Sequence, residues 1–309
     1  MPQPVAYAAL LAASGLTPVD PDSPNTERIE DLYWFVSFWA ALVLLSVAVP
    51  LVIFVFRYRS RGRSRTVEGP QIHGSTRLEI AWTVVPVVIL LIVTVFTFYK
   101  LPGITLDAQA GEETLKVRVE GRQFYWQYRY PNGVIAIDTL RAPADRLVEL
   151  ELTSPESDVI HSYWVPNLLA KFDTIPGQTT ETAFRGKVGT YQGQCAELCG
   201  IQHAAMFATI EVVPAGEFDA WLTEEARQQE AGDSALGAQI FVGACVKCHG
   251  VGGRGLIGPA LGPGAVANAD AVAEIVRNGR GKMPPIGEGW DDRQMKALTD
   301  YLKVRFPGS

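Results

Sequence analysis

Cys195-Ala196-Glu197-Leu198-Cys199-Gly200-Ile201-Gln202-His203-Ala204-Ala205-Met206 decides how the rest of this chain is read. Two thiols four residues apart, an imidazole four further on and a thioether three beyond that make a dense loop of soft ligands. Thiolate and thioether select copper, and imidazole suits it. A single electron-transfer copper needs one cysteine. Two in one loop suggest a pair of metals sharing both sulfurs, which spreads one electron over two coppers and keeps the geometry change on reduction small. The competing readings are a Cys2His2 zinc site that recruits His161 and leaves Met206 without a purpose, and a Cys195–Cys199 disulfide in an oxidising compartment.

The other two of the four cysteines lie in Cys245-Val246-Lys247-Cys248-His249, so no sulfur remains for a disulfide framework. Two cysteines one helical turn apart can form thioethers to the same haem edge, and the adjacent His249 is placed to give a nitrogen to iron. A zinc site would need further cysteine or histidine, and the chain has none after His249. Downstream lies Gly279-Arg280-Gly281-Lys282-Met283-Pro284-Pro285 instead. A thioether on that constrained loop would be the sixth iron ligand and would raise the reduction potential. Met295 falls within the next helical stretch and reads as core.

The chain has 309 residues, 48% of them hydrophobic, and the apolar excess is concentrated in Tyr33 to Phe56 and Ile80 to Tyr99. Each run lacks internal charge and is long enough to cross a hydrocarbon core of about 30 Å as a helix, with aromatic residues at its ends. Between them come Arg57, Arg59, Arg61, Arg63, Arg65 and Arg77 against Glu68 and Glu79. Such a loop belongs on the cytoplasmic side, which puts the N-terminus and everything after Lys100 outside, across a bacterial inner membrane or its equivalent. Its place between two spans, with a net charge of -6, argues against a nucleic-acid arm. His73, beside Gly74 and Ser75, reads as a solvated loop residue. Ala6 to Leu16 is weakly apolar but lacks the positive n-region of a signal peptide, so 1–30 is an N-terminal segment open to processing.

After Leu101-Pro102-Gly103 the texture changes to short alternating runs: Leu115 to Val119, aromatic Phe124 to Tyr130, Leu147 to Leu152, Val159 to Val165 and Phe207 to Val213. Several short strands with turn signals between them predict a Greek-key sandwich or barrel. Ala215 to Ala231 is polar and reads as a helical or flexible connector. Beyond it, Asn268 predicts a cap for a helix over Ala269 to Arg277, and Asp291 or Asp292 one for Arg293 to Val304. This last region is small for an independent core, and a covalently held cofactor would complete it.

Asp158 to Pro166, Lys171 to Gly177 and Cys195 to Met206 together resemble subunit II of haem–copper cytochrome c oxidases, whose two-helix anchor the spans also fit, with Glu79-Ile80-Ala81-Trp82-Thr83 opening the second. Gly232 to Phe306 resembles a class I c-type cytochrome, which makes the whole similar to the fused, caa-type version of that subunit. The resemblance implies a multidomain membrane protein: a transmembrane hairpin over 31–103, a cupredoxin-like all-β Greek-key domain over 104–215, a linker over 216–232 and an all-α cytochrome c domain over 233–309. It implies that Cys195 and Cys199 bridge the two coppers of a CuA centre, with His161 and Met206 on one copper, and His203 and the Glu197 carbonyl on the other. The Glu197 carboxylate would reach a magnesium shared with the catalytic subunit. Glu79 resembles the carboxylate at the mouth of a proton path, although a glutamate at a helix N-terminus is favoured by the macrodipole alone. The family usually has Trp first in its aromatic run, at the point where electrons arrive. This chain has Phe124, then Tyr125 and Trp126, which read equally as sandwich core. A tethered haem at high effective concentration would relax the demand on that surface.

The function implied is an electron-transfer subunit, passing electrons from a soluble or membrane-bound donor through haem c (Cys245, Cys248, His249, Met283) and CuA to catalytic subunit I, within a complex that reduces oxygen and translocates protons. No oxygen-reducing site belongs to this chain. The rival from another class is a membrane-anchored redox sensor or copper metallochaperone without turnover, which would have no use for a covalent haem. Quinol-oxidase relatives lack the copper ligands, and the two-span anchor disfavours a nitrous oxide reductase.

Overall fold

A computed structural model describes residues 18–59, 62, 71–104, 112–232 and 235–307. They form two units, one built on Glu27–Ile104 and one joining Val19–Thr26 to Thr105–Ser309.

The first unit is a pair of helices, α1 over Pro24–Arg57 and α2 over Thr76–Lys100. Both apolar runs predicted from sequence sit inside them, and none of the residues in their most apolar windows is buried. Leu44, Phe56 and Leu90 are at least 65% exposed, as suits side chains that face lipid. Pro24 opens α1, where its missing N–H costs nothing, so this helix starts well before the predicted domain boundary at residue 31. Phe35 stacks on Phe96 at 3.9 Å, and Lys100 pairs with Asp31 at 2.5 Å. His73 is exposed, as predicted. The stretch Ala6 to Leu16 and the residues Arg61, Arg63, Arg65 and Glu68 lie outside the described residues.

The second unit is a β-sandwich with a helical region packed on it. One sheet runs β3-β2-β1-β5-β8 and the other β4-β10-β9-β6-β7. In β1 (Thr114–Arg122), Leu115, Val117 and Val119 alternate inward and are buried, the pattern that half-buried strands show. β2 is Tyr125–Arg129, β3 Ile135–Ile137, β4 Thr139–Pro143 and β5 Leu147–Thr153. β6 is His161–Trp164, β7 Phe172–Thr174, β8 Thr180–Phe184, β9 Gly189–Cys195 and β10 Phe207–Val213. β1 pairs with β5, and β4 with β10, in parallel, so each sheet mixes parallel and antiparallel neighbours and joins strands distant in sequence. Val19–Thr26, which runs into the first turn of α1, belongs to this unit: Ser23 Oγ donates to the Leu168 carbonyl and Asn25 Nδ2 to that of Ala183.

The 216–232 segment takes the helical form of a connector. It forms helix α3 (Ala215–Ala231), whose Phe218 is buried and whose Trp221 and Leu222 pack on the sandwich core. Gln229 exchanges both hydrogen bonds with the Ile135 backbone, at 3.1 and 2.8 Å, satisfying the edge of β3. Beyond it come α4 (Leu236–Ile240), a π-helical turn (Phe241–Cys245), α5 (Val246–His249), α6 (Pro263–Val266), α7 (Ala269–Asn278) and α8 (Asp292–Arg305). Asn268 caps α7 through the N–H groups of Asp270 and Ala271, and Asp291 opens α8 with a capping box closed by Gln294.

The helical region packs directly on the sandwich. Tyr125, Ile135 and Ile137, on the outer face of the first sheet, share one apolar cluster with Leu236, Phe241, Ala244, Trp290 and Leu298. Trp290 Nε1 donates to the Tyr125 hydroxyl, which donates in turn to the Ile286 carbonyl, both at 3.0 Å.

Candidate metal centre and haem site

The loop between β9 and β10 carries the soft ligands, and β6 brings the histidine distant in sequence. Tyr163 pairs with Cys195 across the two strands. Ala196 N–H donates to the Ser162 carbonyl at 2.8 Å and Cys195 N–H to that of Met206 at 2.9 Å, so both ends of the loop are fixed by backbone. The result brings Cys195 Sγ to 3.9 Å from Cys199 Sγ and 3.9 Å from His161 Nδ1. Cys199 Sγ lies 3.7 Å from His203 Nδ1 and 3.8 Å from Met206 Sδ, and Cys195 Sγ lies 3.2 Å from the Glu197 carbonyl. His161, Cys195, Cys199 and Met206 are buried, and His203 is half-buried. Gly121 makes room: a Cβ there would stand 3.0 Å from His161 Cδ2.

The cysteines are free thiols, not a disulfide. Their proximity drives them apart electrostatically: Cys199 pulls the Cys195 thiol far below its ordinary value, and Cys195 pushes Cys199 up. Left to itself the pair is one thiolate sharing a proton with one thiol; holding both as thiolates in this site would take cations between them. Burial lowers the His161 imidazole, but Asp158 and Cys195 outweigh it and raise it overall. Asp158 Oδ1 lies 3.2 Å from His161 Nε2, which leaves Nδ1 turned toward the sulfur, the way carboxylates orient metal-binding imidazoles. The donor set of two thiols, two imidazoles, a thioether and a carbonyl fits a copper pair, and Met206 beside Cys199 distinguishes it from a zinc site.

In the helical region Cys245, Cys248, His249 and Met283 line one cavity, walled by apolar residues such as Val266, Val276, Leu298 and Leu302. His249 Nδ1 donates to the Pro259 carbonyl at 2.7 Å, which leaves Nε2 free to ligate. Gly258 lies against the ring, where a Cβ would stand 2.9 Å from His249 Cε1. Burial pushes the Cys245 thiol up to about 12. An apolar cavity presenting two thiols, a fixed imidazole and a thioether fits a covalently attached haem. Met295 does not line the cavity; it is buried in the core, as predicted.

The aromatic run divides as the strand pleat dictates. Trp126 lies in the sandwich core, its ring 6.1 Å from that of His161, while Tyr125 faces the helical region. Phe124 is buried and forms part of the cavity wall together with Gln123 and Ile201. Glu197 points its side chain to the exterior, and Glu79 is exposed in the first turn of α2. Sequence reasoning assigned no role to Gln123, whose Nε2 donates to the Cys199 carbonyl at 2.6 Å, or to the Asp158 carboxylate, which takes the Gln123 N–H at 2.9 Å.

A membrane hairpin carrying a soft-ligand cupredoxin and a haem-type helical domain defines a membrane-anchored electron-transfer protein. Similarity to known proteins agrees: residues 13–99 match the cytochrome c oxidase subunit II transmembrane domain, 136–213 its periplasmic domain, and 232–302 the family described as cytochrome c oxidase, cbb3-type, subunit III. Cytochrome c oxidase subunit 2 of Alkalihalophilus pseudofirmus is 32% identical, over 95% of this chain and 92% of that one. The same subunit of a Bacillus species is 35% identical over 59% of this chain and 55% of its own. The periplasmic domain of cytochrome oxidase subunit II from Bradyrhizobium japonicum is 30% identical over 40% of this chain and 99% of its own, with a TM-score of 0.37. The chain belongs to the cytochrome c oxidase subunit 2 family, in a form fused to a cytochrome c domain. It is an electron-transfer subunit of a haem–copper oxidase, and its families imply CuA copper and haem c.

Proposed function

We propose that this chain takes electrons one at a time from an outside donor at its cytochrome domain and delivers them through its cupredoxin domain to the oxygen-reducing subunit of the complex. When bound, haem c and the copper pair would supply one-electron couples. Cys245 and Cys248 would hold the haem, with His249 and Met283 on its iron. Cys195 and Cys199 would bridge the coppers, with His161 and Met206 on one side, and His203 and the Glu197 carbonyl on the other. The observation that carries this is the convergence of five soft side chains in one loop-and-strand pocket, with neighbouring sulfur and nitrogen atoms no more than 3.9 Å apart.

The remaining residues hold and shield these ligands. Asp158 fixes the His161 ring, Pro259 fixes His249, and the apolar cavity wall excludes water, which favours the uncharged forms of what it encloses. Both redox domains would lie on the outer face of a bacterial inner membrane, anchored by α1 and α2. Leu198 and Phe207 are exposed beside the ligand loop and suit contact with catalytic subunit I, and the outward Glu197 carboxylate suits a magnesium held jointly with it. Glu79 would stand at the cytoplasmic mouth of a proton path; oxygen reduction and proton translocation belong to the complex. Electron paramagnetic resonance with metal analysis tests the reading. A delocalised mixed-valence signal from two coppers per chain is expected, and zinc or a one-copper signal would refute it.

A further inference from the structure

Lys247 lies inside the haem-attachment motif, between Val246 and Cys248, at a position with no ligand role. It is not a surface charge. Its side chain is 14% exposed, and Nζ donates to the Phe124 carbonyl at 2.6 Å and to Asp138 Oδ2 at 3.0 Å. Both acceptors belong to the sandwich. Its own carbonyl accepts from Gln202 Nε2 at 2.9 Å, and Gln202 stands between Cys199 and His203. One residue therefore touches the copper-ligand loop through its backbone and the aromatic strand through its side chain.

Asp138 is shaped to receive it. Its φ of 58° lies in the left-handed region that aspartate and asparagine tolerate. Its N–H donates to the Trp126 carbonyl at 2.8 Å, and its Oδ1 accepts the Trp126 N–H at 2.9 Å. That exchange leaves Oδ2 facing the lysine. A charge-assisted contact so sheltered from water has defined geometry, unlike an exposed pair held by two mobile side chains.

We propose that Lys247 is a positioning residue that docks the haem-attachment motif against the copper-ligand loop through Phe124, Asp138 and Gln202. The proposal rests on the electron-relay reading and adds to it the residue that sets the separation of the two sites. In the step it serves no bond is made or broken: one electron leaves the haem site and one arrives at the copper site.

Asp138→Asn keeps the acceptor for Trp126 and the backbone conformation while removing the charge that faces Lys247. Lys247→Met removes the donor, and Lys247→Arg restores a cation. In the purified, fully loaded complex, photoreduction of the haem site should be followed by copper reduction at least about fivefold slower in D138N and K247M, with recovery in K247R. The double variant D138N/K247M should be no slower than K247M alone, because K247M already removes the contact that D138N weakens. Amide hydrogen exchange over residues 123–126 and 199–203 should accelerate in the same variants, a readout that needs no turnover. The haem midpoint potential should stay as in the parent. An unchanged transfer rate and unchanged exchange would overturn the proposal, and if K247M does not assemble, D138N decides it alone. A parent protein lacking covalent haem or the dicopper signal would instead refute the relay, while the exchange data would still report on the contact.

Discussion

The side-chain amide of Gln123 reaches across 2.6 Å to the main-chain carbonyl of Cys199, tying the wall of the haem cavity to a residue of the soft-ligand loop. The Gln123 N–H meanwhile binds Asp158, the carboxylate that orients His161. One glutamine thus supports two members of the proposed copper set without ligating anything. Gln123→Leu removes the bond to Cys199 while keeping the N–H to Asp158, and it should weaken copper binding about tenfold, the usual cost of losing an outer-sphere partner. A chelator titration of the purified protein measures this directly.

Cys199→Ser should abolish the dinuclear signal while leaving the covalent haem in place. Cys199 lies within 3.9 Å of three other candidate donors, so its sulfur is shared rather than peripheral. Electron paramagnetic resonance and a haemochrome spectrum of the same sample separate the two effects.

Met283→Leu should keep the haem attached, since Cys245 and Cys248 are untouched, but lower its midpoint potential by on the order of 0.1 V through loss of the thioether. A spectroelectrochemical titration checks it. Met295→Leu serves as control: that side chain is core, away from the cavity, and its replacement should leave the potential alone.

Asp291 caps α8 and sets a pH dependence. Partial burial pushes its carboxyl up, but the Gln294 N–H, Arg293 and Arg129 outweigh that and hold it below the ordinary 3.8. A depressed carboxyl contributes stability that is present above pH 3.8 and lost as pH falls through the folded-state value. Asp291→Ala should cost about 1 kcal/mol at neutral pH and Asp291→Asn less, with the Ala deficit shrinking in acid. Thermal unfolding of the parent and both variants between neutral pH and about pH 3 measures the difference.

The ligands were legible because metal chemistry fixes residue type and spacing locally: Cys195 to Met206 and Cys245 to His249 each fit within a single loop. Caps were legible for the same reason, as Asn268 and Asp291 act within their own first turns. Strands such as Phe207–Val213 announced themselves by alternation, whereas β3 and β7 are three residues each and exist only through their neighbours. Polar α3 looked like a connector because its apolar side is narrow, little more than Phe218, Trp221 and Leu222. Arg122 and Lys247 were the least visible. Each reads as a surface charge until the second domain covers it: Arg122 is 6% exposed, donating to the Glu288 carbonyl at 2.7 Å and paired with Glu120. Burial by a distant part of the chain leaves no local trace.

The cluster around Tyr125, Ile137 and Trp290 has an implication for how such a chain can be cut. A version ending near residue 232 would not be a smaller copper subunit. It would be a sandwich with one flank stripped, wetting an oily sheet face and leaving Arg122 without its carbonyl partners, and it should clump where the intact chain stays dispersed. The appended module is part of what keeps the copper-bearing sandwich covered.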